Sequence, residues 1–291
     1  MVSLFKTAKG KEEILSLYDQ KLEDLNIDFE YLNIDTSYGS TNIITTGITS
    51  NPPILLIHGS NGCAPIALET YAGLASKFKV YAIDVLAQPN KSAETRLNMK
   101  DDAYGKWVNE IIGTLKIEDV TLAGFSFGGL IILKTLEFDE SKIKEVYLSA
   151  PAYIVNGNPI KALFKFFIPM KRYIKTKKTK YISKFLAEVF TEPDEFANNY
   201  LSKVFLYFNM DFSPIPVIDT ETANLIKTPI TIFAAGNDII FPGSKMIKRA
   251  ERIFPSLKRI QLMKDSKHVQ NRLDNLMITN QILNDARPKI S

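Results

Sequence analysis

The sequence predicts an α/β architecture: a mostly parallel sheet flanked by helices, with a helical insert breaking the alternation. Three observations carry this. Short, predominantly apolar runs such as PPILLIHG (52–59) and DVTLAGFS (119–126) suit strands buried on both faces. Stretches with helical apolar spacing alternate with them, the pattern of right-handed crossovers between parallel strands. The alternation then stops over residues 152–223, a segment too long for a plain connection.

Residues 11–25 place Ile14, Leu15, Tyr18, Leu22 and Leu25 at helical spacing. Residues 29–47 read as two strands around a Tyr38-Gly39-Ser40 turn. The run 52–59 is the first buried strand, a helical stretch spans 66–77, and 79–85 is the second buried strand. Residues 101–116 form a helix with an acidic first turn, favoured at the positive end of the helix dipole. Trp107 on that helix is expected to pack against the sheet. Strands follow at 119–126, 143–151, 228–238 and 259–265, separated by helices at 128–138 and 243–254. A last helix spans 269–285, with Leu273, Leu276, Met277, Asn280 and Leu283 assigned to one face. The interrupting segment is aromatic, basic and helical in character, with prolines at 159, 169, 193, 214 and 216. We therefore expect a core made of 1–151 and 224–291, with 152–223 inserted as a helical cap or lid.

Composition narrows the function. The 291 residues carry 36 Lys+Arg and 32 Asp+Glu, a net of +4. Nine of the cations, and no acid, fall in 161–184. The remainder holds 27 basic and 32 acidic residues, a net of −5. A uniformly basic nucleic-acid surface is excluded, and no nucleic-acid partner is expected. The basic segment admits two readings. A cap helix with a solvated outer face is favoured over contact with a membrane surface. One cysteine, Cys63, allows no intrachain disulfide, and it reads as a small packing residue. Two histidines, His58 and His268, make a zinc site of several His or Cys ligands unexpected, and neither metal nor cofactor is anticipated. No run reaches the ~18 apolar residues of a membrane span, and the N-terminus lacks the apolar core of a signal peptide. A cytoplasmic location is the resulting expectation. Nothing in the chain speaks to oligomeric state.

The chemistry centres on Gly124-Phe125-Ser126-Phe127-Gly128, a G-x-S-x-G sequence between an apolar strand and a helix. A serine on so sharp a turn projects above the sheet, and the helix N-terminus beneath it favours developing negative charge. A serine hydroxyl needs a base of near-neutral pKa to become a nucleophile. His268, after the last strand and before the final helix, is the candidate. His58 follows the first buried strand, ahead of the serine, and is read as a turn residue capping backbone groups. Asp238, at the end of the 228–238 strand, is the candidate for orienting the imidazole. Asp265 lies near His268 in sequence but is read as a turn former. The turn His58-Gly59-Ser60-Asn61-Gly62 offers backbone N–H groups to an oxyanion.

With these motifs in this order, the chain over about 30–285 resembles the serine α/β-hydrolases of the lid-bearing esterase/lipase type, and is also similar to meta-cleavage-product hydrolases. The resemblance implies the α/β-hydrolase fold, Ser126 as nucleophile, His268 as base and Asp238 as acid. It also implies an oxyanion site from the N–H groups of Ser60 or Asn61 with Phe127. Three departures stand out. The segment Asp84-Val-Leu-Ala-Gln-Pro-Asn-Lys-Ser92 lacks the glycines that relatives carry, so a stiffer loop is expected. The HGGG of hormone-sensitive-lipase types and the HGGPG of proline iminopeptidases are also absent. A serine nucleophile argues against dehalogenases and epoxide hydrolases, which use aspartate. The expected substrate is a small-molecule ester with an apolar acyl or alcohol group. C–C hydrolysis, thioester hydrolysis and acyl transfer on the same triad, or a non-catalytic ligand-binding member of the fold, are the alternatives.

Overall fold

The computed structural model describes residues 3–286. Residues 1–2 and 287–291, the extremities of the expected core segments, lie outside the described residues. The chain opens with α1 (Ala8–Asp24), capped by the Thr7 hydroxyl accepting from Gly10 N–H. A hairpin of β1 (Glu30–Thr36) and β2 (Gly39–Thr46) follows, then β3 (Pro53–Ile57), α2 (Ala64–Thr70), β4 (Lys79–Ile83) and α3 (Ala103–Leu115). Next come β5 (Val120–Phe125), α4 (Phe127–Phe138) and β6 (Ile143–Ser149).

The segment after β6 is helical. It comprises α5 (Pro159–Ala162), a π turn (Leu163–Phe167), α6 (Ile168–Thr176), α7 (Thr179–Val189) and α8 (Glu195–Tyr207). Then α9 (Thr220–Leu225), β7 (Ile230–Ala235), α10 (Gly243–Ile253), β8 (Leu257–Met263) and α11 (Arg272–Asp285) complete the fold. The π turn immediately precedes Pro169. A proline inside a helix has no N–H to give and its ring crowds the carbonyl four residues back, so a local widening accommodates it.

The eight strands form one sheet in the order β1-β2-β4-β3-β5-β6-β7-β8. Only the β1–β2 and β2–β4 pairs are antiparallel. Central strands such as β3, β5 and β7 are buried on both faces, in keeping with their predominantly apolar sequences. In β3, Leu55 and Ile57 join a core with α3 and α4, while Ile54 and Leu56 join a second core with α1, α2 and α11. Trp107 is fully buried, and its indole N–H donates to Thr41 Oγ1 on β2 at 2.9 Å.

Two expectations fail. The helix expected to start at 101 with an acidic first turn starts at Ala103, leaving Asp101 and Asp102 ahead of a first turn without acids. On α11 the buried side chains are Ile278, Thr279 and Ile282, while Leu273 and Leu276 are exposed. Apolar residues lie on several sides of this helix, so spacing alone chose the wrong face. Among the described residues, no helix is long and apolar enough to cross a membrane.

Candidate active site

Parallel strands deliver their C-terminal ends to one edge of the sheet, and the site is assembled there. Ser126 occupies the single residue between β5 and α4, at φ 53° and ψ −112°. This conformation is unfavourable for any residue with a Cβ, and surrounding hydrogen bonds hold it. Ser126 N–H donates to Ser149 O at 3.0 Å, and its carbonyl accepts from Gly129 and Ala152 N–H at 2.9 Å each. The flanking glycines are required by space. A Cβ on Gly128 would lie 2.2 Å from Ile57 O, and one on Gly124 2.6 Å from Ile132 Cδ1. The helix thereby presses against β3, which brings the Gly59 turn beside the serine.

His268 sits in the loop between β8 and α11. That loop is pinned to the inserted helices: Val269 N–H donates to Val189 O at 2.9 Å, and Thr191 N–H to Val269 O at 3.0 Å. The imidazole lies between the rings of Phe125 and Phe241, with centroids 5.1 and 5.4 Å away. Its Nδ1 is 2.7 Å from Asp238 Oδ2 and its Nε2 is 2.9 Å from Ser126 Oγ. A carboxylate only accepts, so Nδ1 carries the proton and Nε2 is left to accept from the serine hydroxyl. Asp238 is itself fixed, because its Oδ1 accepts from Ile240 N–H at 2.7 Å and Phe241 N–H at 3.0 Å. The structure thus brings Ser126, His268 and Asp238 together from three separate loops. Asp265 is exposed in the turn after β8 and bonds to none of them.

The three oxyanion candidates separate. Asn61 N–H donates to the Gln88 side-chain carbonyl at 2.7 Å and is occupied. Ser60 and Phe127 N–H groups have no hydrogen-bond partner among the described residues. Gln88 belongs to the loop of 84–92 and was not anticipated from sequence. Nothing local marks it, since its partner is 27 residues away. This glycine-poor loop places Ala87 at φ 56°, a left-handed conformation that glycine adopts at less cost. Ser92 Oγ closes it by donating to Asp84 O at 2.7 Å.

Two buried titratable groups lie beside the site without touching its serine. His58 accepts Val85 N–H on Nε2 at 3.0 Å, so its Nδ1–H donates to Gly59 O at 2.8 Å. This capping role matches the turn assignment, and burial lowers its pKa to about 4, keeping it neutral. Asp84 accepts from Ala64 N–H at 2.7 Å and from Asn42 Nδ2 at 2.8 Å, and burial raises its pKa to about 6. Cys63 is fully buried next to it, and burial pushes its thiol pKa up, away from reactivity.

Ser126, His268, Gly59 and Ser60 line a cavity of about 950 Å³ that Phe185, Val189 and Phe205 of the inserted helices also border. A volume of this size suits an organic ligand rather than water alone.

A family model described as the alpha/beta hydrolase fold matches residues 52–194. The chain has the α/β-hydrolase fold. It is 28% identical over 135 residues to the carboxylesterase YbfK of Bacillus subtilis, a stretch covering 46% of each chain. It is 27% identical over 135 residues to an uncharacterised carboxylesterase, nap, of the same organism. The matched stretch thus spans about half the length of these curated relatives. The solved naproxen esterase of Bacillus subtilis superposes with a TM-score of 0.81 at 18% identity, over 97% of this chain and 99% of that one. Carboxylesterase CesB (YbfK) gives 0.77 at 18% identity over 96% of each chain. At these identities the superpositions establish the fold alone.

Proposed function

We propose that this protein is a serine carboxylesterase acting on esters with an apolar acyl or alcohol group. One observation carries the reading: the continuous chain Ser126 Oγ–His268 Nε2 at 2.9 Å and His268 Nδ1–Asp238 Oδ2 at 2.7 Å, opening on a largely apolar cavity. The resemblance to carboxylesterases supports the ester as the bond attacked.

In this reading His268 Nε2 takes the Ser126 proton as Oγ attacks the ester carbonyl carbon. The carbonyl π electrons move to oxygen, which the Ser60 and Phe127 N–H groups then stabilise. Each such donor is worth roughly 3 kcal/mol in the transition state. The C–O bond breaks, the alcohol leaves with the proton from His268, and an acyl-Ser126 ester remains. Water, deprotonated by the same imidazole, repeats the sequence and releases the acid. Asp238 stabilises the imidazolium at each stage without taking its proton. Segment 152–223 is the cap over this cavity, and segments 1–151 and 224–291 are the core.

A p-nitrophenyl ester series with increasing acyl length tests the reading. Ser126→Ala is expected to lower turnover by roughly 10⁴-fold or more, with the fold intact by circular dichroism. Wild-type turnover in that variant would overturn the proposal.

A further inference from the structure

The basic segment plays no part in the acyl chemistry, and its conformation was not readable from its charge. Residues 159–176 run as one continuous helix through α5, the π turn and α6. Stepping by three or four residues along it gives Ile160, Leu163, Phe164, Ile168, Lys171, Arg172 and Lys175. The opposite side holds Phe166, Met170 and Tyr173, which are buried against the protein. The outer face therefore begins apolar and ends cationic. Ile160, Leu163 and Phe164 are 65, 47 and 61% exposed. Lys171, Arg172 and Lys175 beyond them are exposed too.

The charge continues through exposed Lys177, Lys178, Lys180 and Lys184. Of the nine cations in 161–184, only Lys165 has a carboxylate in salt-bridge range among the described residues, Glu188 at 2.7 Å. Tyr181 adds an amphipathic ring between Arg172 and Lys180, which lie 5.8 and 5.2 Å from its centroid. Eight unmatched cations repel one another, and three large apolar side chains beside them face water. Neither property helps the isolated fold. Both are relieved together by a surface that is anionic outside and apolar just beneath.

We propose that the outer face of 159–184 docks on an anionic lipid bilayer. Ile160, Leu163 and Phe164 enter the headgroup–acyl boundary, and the unmatched lysines and arginine meet lipid phosphates. The sequence favoured a solvated outer face, and the three exposed apolar side chains are what argue against it. A nucleic acid or an acidic protein would satisfy the cations but leave the apolar half uncovered.

The test is sedimentation with vesicles rich in phosphatidylglycerol and with pure phosphatidylcholine vesicles, at low and high salt. The full chain is expected to bind the anionic vesicles, and binding should weaken as salt rises. Each lysine near such a surface contributes about fivefold. The triple variant Lys177→Glu, Lys178→Glu, Lys180→Glu should therefore lose more than tenfold in partitioning. Ile160→Ser, Leu163→Ser, Phe164→Ser should also weaken binding severalfold while leaving the cations in place. Both variants should keep the wild-type circular dichroism spectrum and turnover of a soluble ester. Failure to bind anionic vesicles, or binding equal to that on phosphatidylcholine, would overturn the proposal. So would binding that ignores the serine substitutions, which would identify a purely electrostatic surface for another polyanion.

Discussion

Around Ser126, hydrogen bonds and close contacts constrain each group from several sides. Along 159–184, eight cations have no carboxylate in salt-bridge range among the described residues, and three large apolar side chains are exposed. Asp238 alone holds three hydrogen bonds, two to backbone and one to the imidazole. Lys171, Lys175 and Lys177 hold no ion pair among the described residues. The first region is arranged by the protein for itself, so substitutions there should be felt throughout the molecule. The second is arranged towards the outside, so its substitutions should leave the isolated fold almost untouched.

The largest break in that contrast should come from Gly128→Ala. The added Cβ would meet backbone, the Ile57 carbonyl, at 2.2 Å, and a carbonyl in the middle of a sheet cannot swing aside. A loss of about 3 kcal/mol in urea unfolding is expected, with turnover falling because the helix start beneath Ser126 must shift. A variant as stable as wild type would show the packing to be looser than described.

An intermediate effect lies in the pH dependence of stability. Unfolded His58 takes up a proton near pH 6.5, whereas folded His58 does so only at about 4, so its contribution declines as pH falls through that window. Asp84 acts in the opposite sense. Its folded pKa of about 6 is above the unfolded value, so the folded state binds a proton first and gains stability as pH falls through 6. The two slopes largely offset in the wild type. Asp84→Asn removes one of them, and the variant should lose an additional amount on the order of 2 kcal/mol between pH 6.5 and 4. Parallel stability–pH curves for the two proteins would refute the assignment.

The smallest effect belongs to the cap. Lys175→Ala with Lys178→Ala should change unfolding stability by no more than about 0.5 kcal/mol, with relief of repulsion favouring the variant. A loss beyond 1 kcal/mol would mean that these lysines have partners inside the protein.

The same contrast explains what was legible in the sequence. Strand positions were readable because strands buried on both faces are rich in apolar residues, as β3 is throughout and β5 and β7 are apart from Thr121 and Thr231. Ser126, Asp238 and His268 could be grouped from sequence because each follows a strand of the parallel part of the sheet, so chain order stood in for proximity. The face of α11 was not, since Leu273 and Leu276 offer apolar spacing as good as that of Ile278 and Ile282, and only the neighbouring elements decide which is covered. Gln88 was not readable either. Its contact with Asn61 exists because the loop after β4 folds over the loop after β3, a relation with no local signature. The basic segment showed its charge but not its orientation, because the π turn changes the helical period partway along.

That π turn has a geometric consequence. It behaves as a phase shifter: a turn wider than the α-helical one delays the angular advance of everything after it. Ile160 lies before it, Leu163 and Phe164 within it, and Lys171 and Lys175 beyond it, so the apolar-to-cationic transition of the outer face falls at the widened turn itself.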